Sequence, residues 1–202
     1  GRSRVIKTAR RLGITASLTM SPSIALGTSG ISLIEMTGAY AVLANNGEGV
    51  LPFGIVEIKD QFGNIKYRRQ GDGAGQIIKP EYIHAMDDMM GEVIKSGTGK
   101  RARLKLPAMG KTGTSQSYRD AWFIGYTRKF VAGVWVGNDN NAPMREVTGG
   151  GLPALIWQRI MSYAHSGNIQ KHDLLAIKSK PNPQPTNKSF WDQITGGILS
   201  LD

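Results

Sequence analysis

The sequence contains no cysteine, and this absence excludes several kinds of chemistry. Disulfides, thiol nucleophiles and thiolate-bound zinc all require that residue. No metal site is predicted either, because the three histidines share no metal-ligand spacing with one another or with nearby carboxylates. No run of about 18 apolar residues occurs, so no membrane-spanning helix is predicted.

Acidic residues are scarce relative to basic ones, 15 against 25, and the formal net charge is +10. An excess of positive charge suits an acidic partner such as nucleic acid, an anionic lipid surface or a cell-wall polymer. The basic residues, however, occur in scattered groups without the interleaved aromatic residues of nucleic-acid-binding modules. We therefore favour a solvated basic surface and expect no nucleic-acid partner.

The length of 202 residues and the 40% hydrophobic content fit one globular domain. No signal peptide opens the chain, and residues 1–4 lead directly into an amphipathic pattern, so we expect the chain to start inside a domain. Residues 172–202 are rich in Lys, Pro, Asn and Ser, which favours a flexible C-terminal tail. The predicted domain therefore occupies residues 1–171.

Hydrophobic periodicity predicts a mixed fold. Helical spacing of apolar residues appears near the N-terminus, over residues 31–43, from Pro80 to about Lys95 and over residues 152–164. Residues 53–60 and 65–69 predict a β-hairpin with a glycine turn. Nearly continuous apolar runs at 121–127 and 130–137 predict strands buried on both faces. The expected fold class is α+β, with a mainly antiparallel sheet flanked by helices on both faces.

One short motif carries the functional interpretation: Lys111-Thr112-Gly113-Thr114, followed by an apolar strand. The triplet alone is weak, because it arises by chance about one time in ten in a chain of this length. Gly110-Lys111-Thr112 also imitates the end of a nucleotide-binding loop. That loop requires a glycine where Lys105 stands, so nucleotide binding is rejected.

The surrounding segments strengthen the motif, because they match one family in order and at sensible spacing from residue 1 to about 164. The chain resembles the C-terminal half of the transpeptidase domain of class A (bifunctional) penicillin-binding proteins, whose motif set ends in Lys-Thr-Gly. The segments that carry this resemblance are residues 10–14, 25–29, 35–40, 43–47, 97–99, 120–127, 134–137 and 148–150.

The resemblance implies a peptidoglycan D,D-transpeptidase that transfers acyl groups from the D-Ala-D-Ala end of stem peptides and is acylated by β-lactams. It implies catalytic roles for Lys111 and Thr114, the latter through a backbone N–H in the oxyanion hole. Substrate binding falls to Thr112, Gly113, Thr114 and Ser115, because hydroxyls beside an ammonium favour a carboxylate and glycine admits a substrate backbone. The family uses no cofactor and no metal.

The family's nucleophile motif, Ser-x-x-Lys, occurs nowhere in residues 1–202. The family places it, together with Ser-x-Asn, upstream of Lys-Thr-Gly, so the resemblance covers the domain only in part. We therefore expect this chain to be inactive alone and to need the N-terminal half of the domain as a partner. That half also supplies the strand next to residues 130–137, whose unpaired apolar edge would favour aggregation.

The resemblance further implies a parent protein anchored in the bacterial inner membrane, with its domains at the periplasmic face and a glycosyltransferase domain ahead of this one. Two alternatives stay open from the sequence. A serine β-lactamase or D,D-carboxypeptidase shares Lys-Thr-Gly and the fold but hydrolyses its acyl-enzyme. A non-catalytic module that binds the cell wall or a partner would use the same surface without chemistry.

Overall fold

Four α-helices and two antiparallel sheets make up the described part of the computed structural model, which comprises residues 1–71 and 73–167. The helices are α1 (Arg2–Arg11), α2 (Leu33–Ala44), α3 (Pro80–Lys95) and α4 (Leu152–His165). The strands are β1 (Glu57–Lys59), β2 (Ile65–Arg68), β3 (Met109–Thr114), β4 (Asp120–Tyr126) and β5 (Val131–Gly137). Each predicted helix is therefore confirmed to within a few residues.

Local chemistry explains where α2 begins and ends. Ser32 accepts a hydrogen bond from the Glu35 N–H, and the Glu35 carboxylate accepts from Ser32, which is a capping box. The helix stops at Asn45, after which Asn46 (φ 54°) and Gly47 (φ 87°) adopt left-handed conformations. An Asn-Asn-Gly run is a typical signal for the end of a helix.

The larger sheet has the strand order β3-β4-β5, and both pairs are antiparallel. Lys111 lies opposite Ile124, and Phe123 lies opposite Val134. The smaller sheet is the β1–β2 hairpin, which confirms the predicted hairpin with shorter strands than residues 53–60 and 65–69. The hairpin strands are mostly exposed, so local pairing rather than burial defines them.

Helices cover both faces of the larger sheet, as predicted. On one face, Gly133 of β5 lies so close to α2 that a Cβ there would stand 2.2 Å from the Thr37 hydroxyl. On the other face, Trp157 of α4 packs edge-on against Phe123, with ring centroids 5.2 Å apart. The α+β class is thereby confirmed.

Trp157 fixes α4 on the sheet through polar as well as apolar contact. The side chain is fully buried, and its indole N–H donates to the carbonyls of Gly125 at 3.2 Å and Ala132 at 3.1 Å. Those two residues face each other across β4 and β5. One side chain therefore joins a helix to two strands, while its N–H avoids the cost of burial without a partner.

A second polar anchor ties α3 to the end of β4. The hydroxyl of the buried Tyr126 donates to Asp87 at 2.7 Å, and Arg128 forms an ion pair with the other oxygen of the same carboxylate. Burial, reinforced by the bond to Asp87, raises the pKa of Tyr126, so its phenol stays neutral.

The prediction for residues 130–137 was wrong in one respect, since β5 is not buried on both faces. Most of its residues are half-buried, and Trp135 is 37% exposed. The reason is position: within the part of the chain that the structure describes, β5 pairs only with β4 and is an edge strand. Trp135 places its ring at this rim and donates its N–H to Asp120 at 3.0 Å.

The flexible tail predicted at residues 172–202 lies outside the described residues. In residues 1–71 and 73–167, no helix combines the length and apolar character needed to cross a bilayer.

The Glu35 carboxylate predicts a pH-dependent contribution to stability. Burial raises its pKa, but hydrogen bonds from Thr15 and Ser32 outweigh that effect and lower the pKa from 4.5 to about 2. A carboxyl whose pKa is depressed in the folded state stabilises it above the unfolded pKa, and the contribution is lost as pH falls from about 4.5 through 2.

We expect Glu35→Gln to lower the free energy of unfolding at pH 7 by about 1 kcal/mol, the usual value of a helix cap. The difference from the wild type should shrink as pH falls toward 2, which urea unfolding at several pH values would measure. Glu81→Gln, at an exposed carboxylate of α3, is the control. A difference that stays constant with pH would contradict the assigned role of the Glu35 charge.

Candidate active site

Strand β3 presents an open edge that carries backbone groups of the Lys-Thr-Gly-Thr motif. The Ser115 N–H donates to the Asp120 carbonyl at 2.9 Å, so these residues form a hydrogen-bonded pair of the antiparallel ladder. Because bonded and non-bonded pairs alternate, Gly113 bonds to β4, whereas Thr112 and Thr114 direct their N–H and C=O groups away from it. Within the described residues no strand covers that edge.

The Lys111 ammonium lies at the same edge. Its side chain is exposed, and its Nζ donates to the carbonyl of Thr112 at 2.7 Å. That carbonyl points outward from the sheet, so the positive charge stands beside the outward N–H of Thr114. An ammonium and a backbone donor together make this edge attractive to an anion.

The hydroxyls of Thr112 and Thr114 face the α4 side of the sheet. Thr112 Oγ1 lies 2.7 Å from Thr98 Oγ1, and this hydrogen bond joins β3 to the loop after α3. Thr114 Oγ1 accepts a hydrogen bond from the Gly149 N–H at 3.0 Å. Since a hydroxyl can accept and donate at once, the Thr114 O–H proton is left to donate to a ligand.

Close backbone approach explains one glycine of the site, Gly149. A Cβ on Gly149 would stand 2.5 Å from the Gly113 carbonyl oxygen and 2.2 Å from that of Trp122. Gly149 is buried, and no other residue type fits there without moving the strands. The segment that contains Gly149 is thus held flat against β3 and β4.

A cavity of about 690 Å³ lies beside the two threonines of β3. Four hydroxyls and two opposite charges face it, and Lys111 is not among the residues that line it. The polar lining comprises Thr98, Arg101, Thr112, Thr114, Glu146 and Thr148. The arrangement can bind a polar or charged ligand beside β3 while the ammonium acts at the strand edge.

Ser115 lies one residue beyond β3, and its hydroxyl belongs to the turn. It donates to the Asp120 carboxylate at 2.9 Å and accepts from the Asp120 N–H at 2.8 Å. The following residues, Ser117 and Tyr118, adopt left-handed conformations with φ of 58° and 54°. The substrate-binding role assigned to Ser115 stays a prediction, while its observed contacts stabilise the β3–β4 turn.

Sequence reasoning missed the other four polar residues that line the cavity, namely Thr98, Arg101, Glu146 and Thr148. Two of them belong to segments that carried the family resemblance, residues 97–99 and 148–150, but received no role there. The glycines beside them were the available signal, since glycine in such places often marks close backbone approach. Nothing in the sequence singled out Arg101 or Glu146.

The contact at Gly149 leads to a stability prediction. Gly149→Ala should lower the free energy of unfolding by about 2 kcal/mol. The added methyl group would overlap backbone atoms of β3 and β4, and the strands could make room for it only by breaking their packing. Gly91→Ala is the matched control, since a Cβ at that position in α3 meets nothing within 4 Å. The control should gain up to about 1 kcal/mol from helix propensity. Equal urea midpoints for both variants would contradict the packing described above.

Comparison with known proteins identifies the domain type. A family model described as the penicillin-binding protein transpeptidase domain matches residues 8–162. Penicillin-binding protein 2D of Bacillus subtilis is 34% identical over 175 residues, which cover 83% of this chain and 25% of the relative. Penicillin-binding protein 1A of Neisseria meningitidis is 34% identical over 170 residues, covering 80% of this chain and 21% of the relative.

Solved structures share the fold. PonA1 from Mycobacterium tuberculosis, a penicillin-binding protein, superposes with a TM-score of 0.73 at 25% identity, covering 94% of this chain and 53% of that one. Penicillin-binding protein 1A from Haemophilus influenzae has a TM-score of 0.69 at 21% identity, covering 92% and 32%. The chain therefore spans about a quarter of the curated relatives it matches.

Proposed function

We propose, since this chain belongs to the penicillin-binding protein transpeptidase domain family, that it forms one wall of a peptidoglycan D,D-transpeptidase site. The observation that carries the proposal is the open edge of β3, where the Lys111 ammonium stands beside the outward N–H of Thr114. The Thr114 hydroxyl lies on the adjoining α4 face of the same strand. Each of these groups is suited to one feature of an acyl donor that ends in a carboxylate.

In the proposed reaction, Lys111 attracts the terminal carboxylate of a stem peptide and the threonine hydroxyls donate hydrogen bonds to it. Gly113 lets the peptide backbone lie close to the strand. The N–H of Thr114 donates to the oxyanion that forms when a serine attacks the scissile carbonyl. One such donor stabilises the transition state by about 3 kcal/mol.

The attacking serine is proposed to come from polypeptide outside residues 1–202, because no Ser-x-x-Lys occurs within them. That polypeptide would also supply the general base and the second oxyanion donor. The parent protein is proposed to be a class A penicillin-binding protein that is anchored in the inner membrane and faces the periplasm. One solved neighbour is described as PonA1 in complex with penicillin V, and a β-lactam is accordingly the proposed probe of the completed site.

Labelling with a fluorescent penicillin tests the proposal. We expect no covalent label on residues 1–202 alone, and a stoichiometric label when the chain is mixed with the upstream half of the domain carrying Ser-x-x-Lys. Intact mass spectrometry would place the adduct on the upstream half. A label on residues 1–202 alone would contradict the assigned location of the nucleophile. No label in a mixture whose halves form a folded complex would contradict the transpeptidase assignment.

Variants at Thr114 separate its hydroxyl from its backbone N–H. Thr114→Val removes the O–H donor and should slow penicillin acylation of the mixture about 10- to 100-fold, the range for a hydrogen bond to a charged group. Thr114→Ser keeps the hydroxyl and should stay within about threefold of the wild type. Thermal melting of both variants checks that the bond from Gly149 is not needed for folding. Equal acylation rates for the Thr114→Val and Thr114→Ser variants would show that the Thr114 hydroxyl has no role in acylation.

A further inference from the structure

The β1–β2 hairpin and the residues that lead into it expose several large apolar side chains. Five of them fall within residues 53–65 and are between 42% and 80% exposed: Phe53, Ile55, Ile58, Phe62 and Ile65. Within residues 1–71 and 73–167, no other stretch of this length has more than three. Single exposed apolar residues are normal on a protein surface, whereas a group of them marks an interaction site.

The hairpin has one apolar and one charged face. Ile58 lies opposite Tyr67, and Ile65 is two residues from Tyr67, so these three side chains share a face. Glu57 and Arg68 form the neighbouring pair on the other face, where Arg68 Nε donates to the Glu57 carboxylate at 2.7 Å. A two-stranded hairpin is marginal in water unless its apolar face is covered. Ile58 and Ile65 nevertheless remain exposed.

The turn between the strands, residues 60–64, forms the hairpin tip and presents Phe62 to solvent. The Asp60 carboxylate accepts hydrogen bonds from the N–H groups of Phe62 and Asn64, both at 2.9 Å. The N–H of Gly63 donates to the Asp60 carbonyl at 3.0 Å, and Gly63 has a φ of 85°. Aspartate and glycine stabilise tight turns in this way. A hydrogen-bonded turn therefore carries a phenylalanine whose side chain is 80% exposed.

Basic side chains flank the hairpin tip. Lys59 is the last residue of β1, and Lys66 is the second residue of β2. Their ammonium groups form ion pairs with Glu57 at 2.7 Å and Asp60 at 3.5 Å, but both lysine side chains are more than half exposed. Exposed pairs contribute little to stability, so these ammonium groups can exchange their partners for phosphate groups. Residues 53–69 hold four basic and two acidic residues, a net charge of +2.

We propose that the hairpin tip binds the surface of an anionic lipid bilayer, with the Phe62 ring inserted between the lipid headgroups. Interfacial binding combines burial of apolar area with attraction between basic residues and anionic lipids. Lys59 and Lys66 can keep their ammonium groups among the phosphates while their methylene groups lie against the apolar region. A protruding ring suits a fluid surface, whereas a folded protein partner would need a matching pocket.

This lipid contact goes beyond the proposed function and does not depend on it. The residues that line the cavity beside β3 all lie outside residues 53–69, and so do Lys111 and Thr114 at the strand edge. Phe62→Ser should therefore leave penicillin labelling of the completed mixture unchanged, whatever it does to lipid binding.

Flotation of the full chain with lipid vesicles tests the contact. We expect binding to vesicles of equal parts phosphatidylglycerol and phosphatidylcholine, and much weaker binding to phosphatidylcholine alone. Phe62→Ser should lower the partition coefficient about 10-fold, because burial of a phenylalanine side chain contributes at least that factor. Leu26→Ser, at an apolar residue outside the hairpin that is 85% exposed, is the matched control and should leave it unchanged. Equal losses in both variants, or no binding of the wild type, would overturn the proposal.

Paired lysine variants test the electrostatic part. Lys59→Gln combined with Lys66→Gln should weaken binding to the phosphatidylglycerol vesicles at least about 10-fold, because each basic residue near an anionic surface adds to the attraction. Lys100→Gln combined with Lys105→Gln removes the same charge from exposed positions outside the hairpin and should weaken binding less. Equal effects of the two pairs would show that overall charge drives binding, and would overturn the role of the hairpin.

A probe at position 62 distinguishes a lipid surface from a protein partner. Because the sequence has no cysteine, Phe62→Cys can carry a single apolar nitrobenzoxadiazole dye in place of the ring. We expect brighter, blue-shifted emission when phosphatidylglycerol vesicles are added, and no such change for the dye at Leu26→Cys. The same change on raising the protein concentration without vesicles would identify a second copy of the chain as the occupant and overturn the proposal. Emission that stays unchanged with vesicles would also overturn it.

Discussion

The close approach of Gly149 to the backbone of Gly113 and Trp122 is the contact on which the candidate site depends. It lets the segment after β5 lie flat on the sheet, and the Gly149 N–H meets the Thr114 hydroxyl there. A side chain at this position would lift the segment away from β3. Glu146 and Thr148 would then lose their place beside the cavity, because they belong to the same short stretch of chain.

The sheet that receives this segment is held in place by contacts that lie elsewhere in the chain. Trp157 joins α4 to carbonyls of both β4 and β5, and α2 fits against Gly133 on the other face. The Tyr126–Asp87 bond ties α3 to the far end of β4. Strand β3 is thereby held by its neighbours on one side, while its other edge stays open for a ligand.

Much of the fold could be predicted because its signals are local. Pro80 begins a helix where it was expected, and Asn45 to Gly47 end one through conformations that such residues tolerate. The two-sided burial of β5 was predicted wrongly, since an unbroken apolar run does not reveal whether a strand lies at an edge. At this edge of the sheet, Trp135 exposes part of its ring and donates its N–H to Asp120.

Only those residues of the candidate site that lie together in one sequence segment could be predicted. Thr112 and Thr114 were found through their motif, and both face the cavity. Arg101 and Glu146 come from two segments separated by β3 to β5, and only the register of the strands brings them together. Ser115 was assigned to substrate by its place in the motif, yet its hydroxyl is taken up by a turn that contains no glycine.

The contact between Gly149 and Gly113 also has a consequence for the order of folding. These residues can meet only after β3 has paired with β4 and the chain has turned back beyond β5. Contacts between residues distant in sequence form slowly, because closing a long loop costs entropy before the contact repays it. We therefore expect the cavity to be completed late in folding, because it needs the segment after β5 and also the sheet that α4 supports.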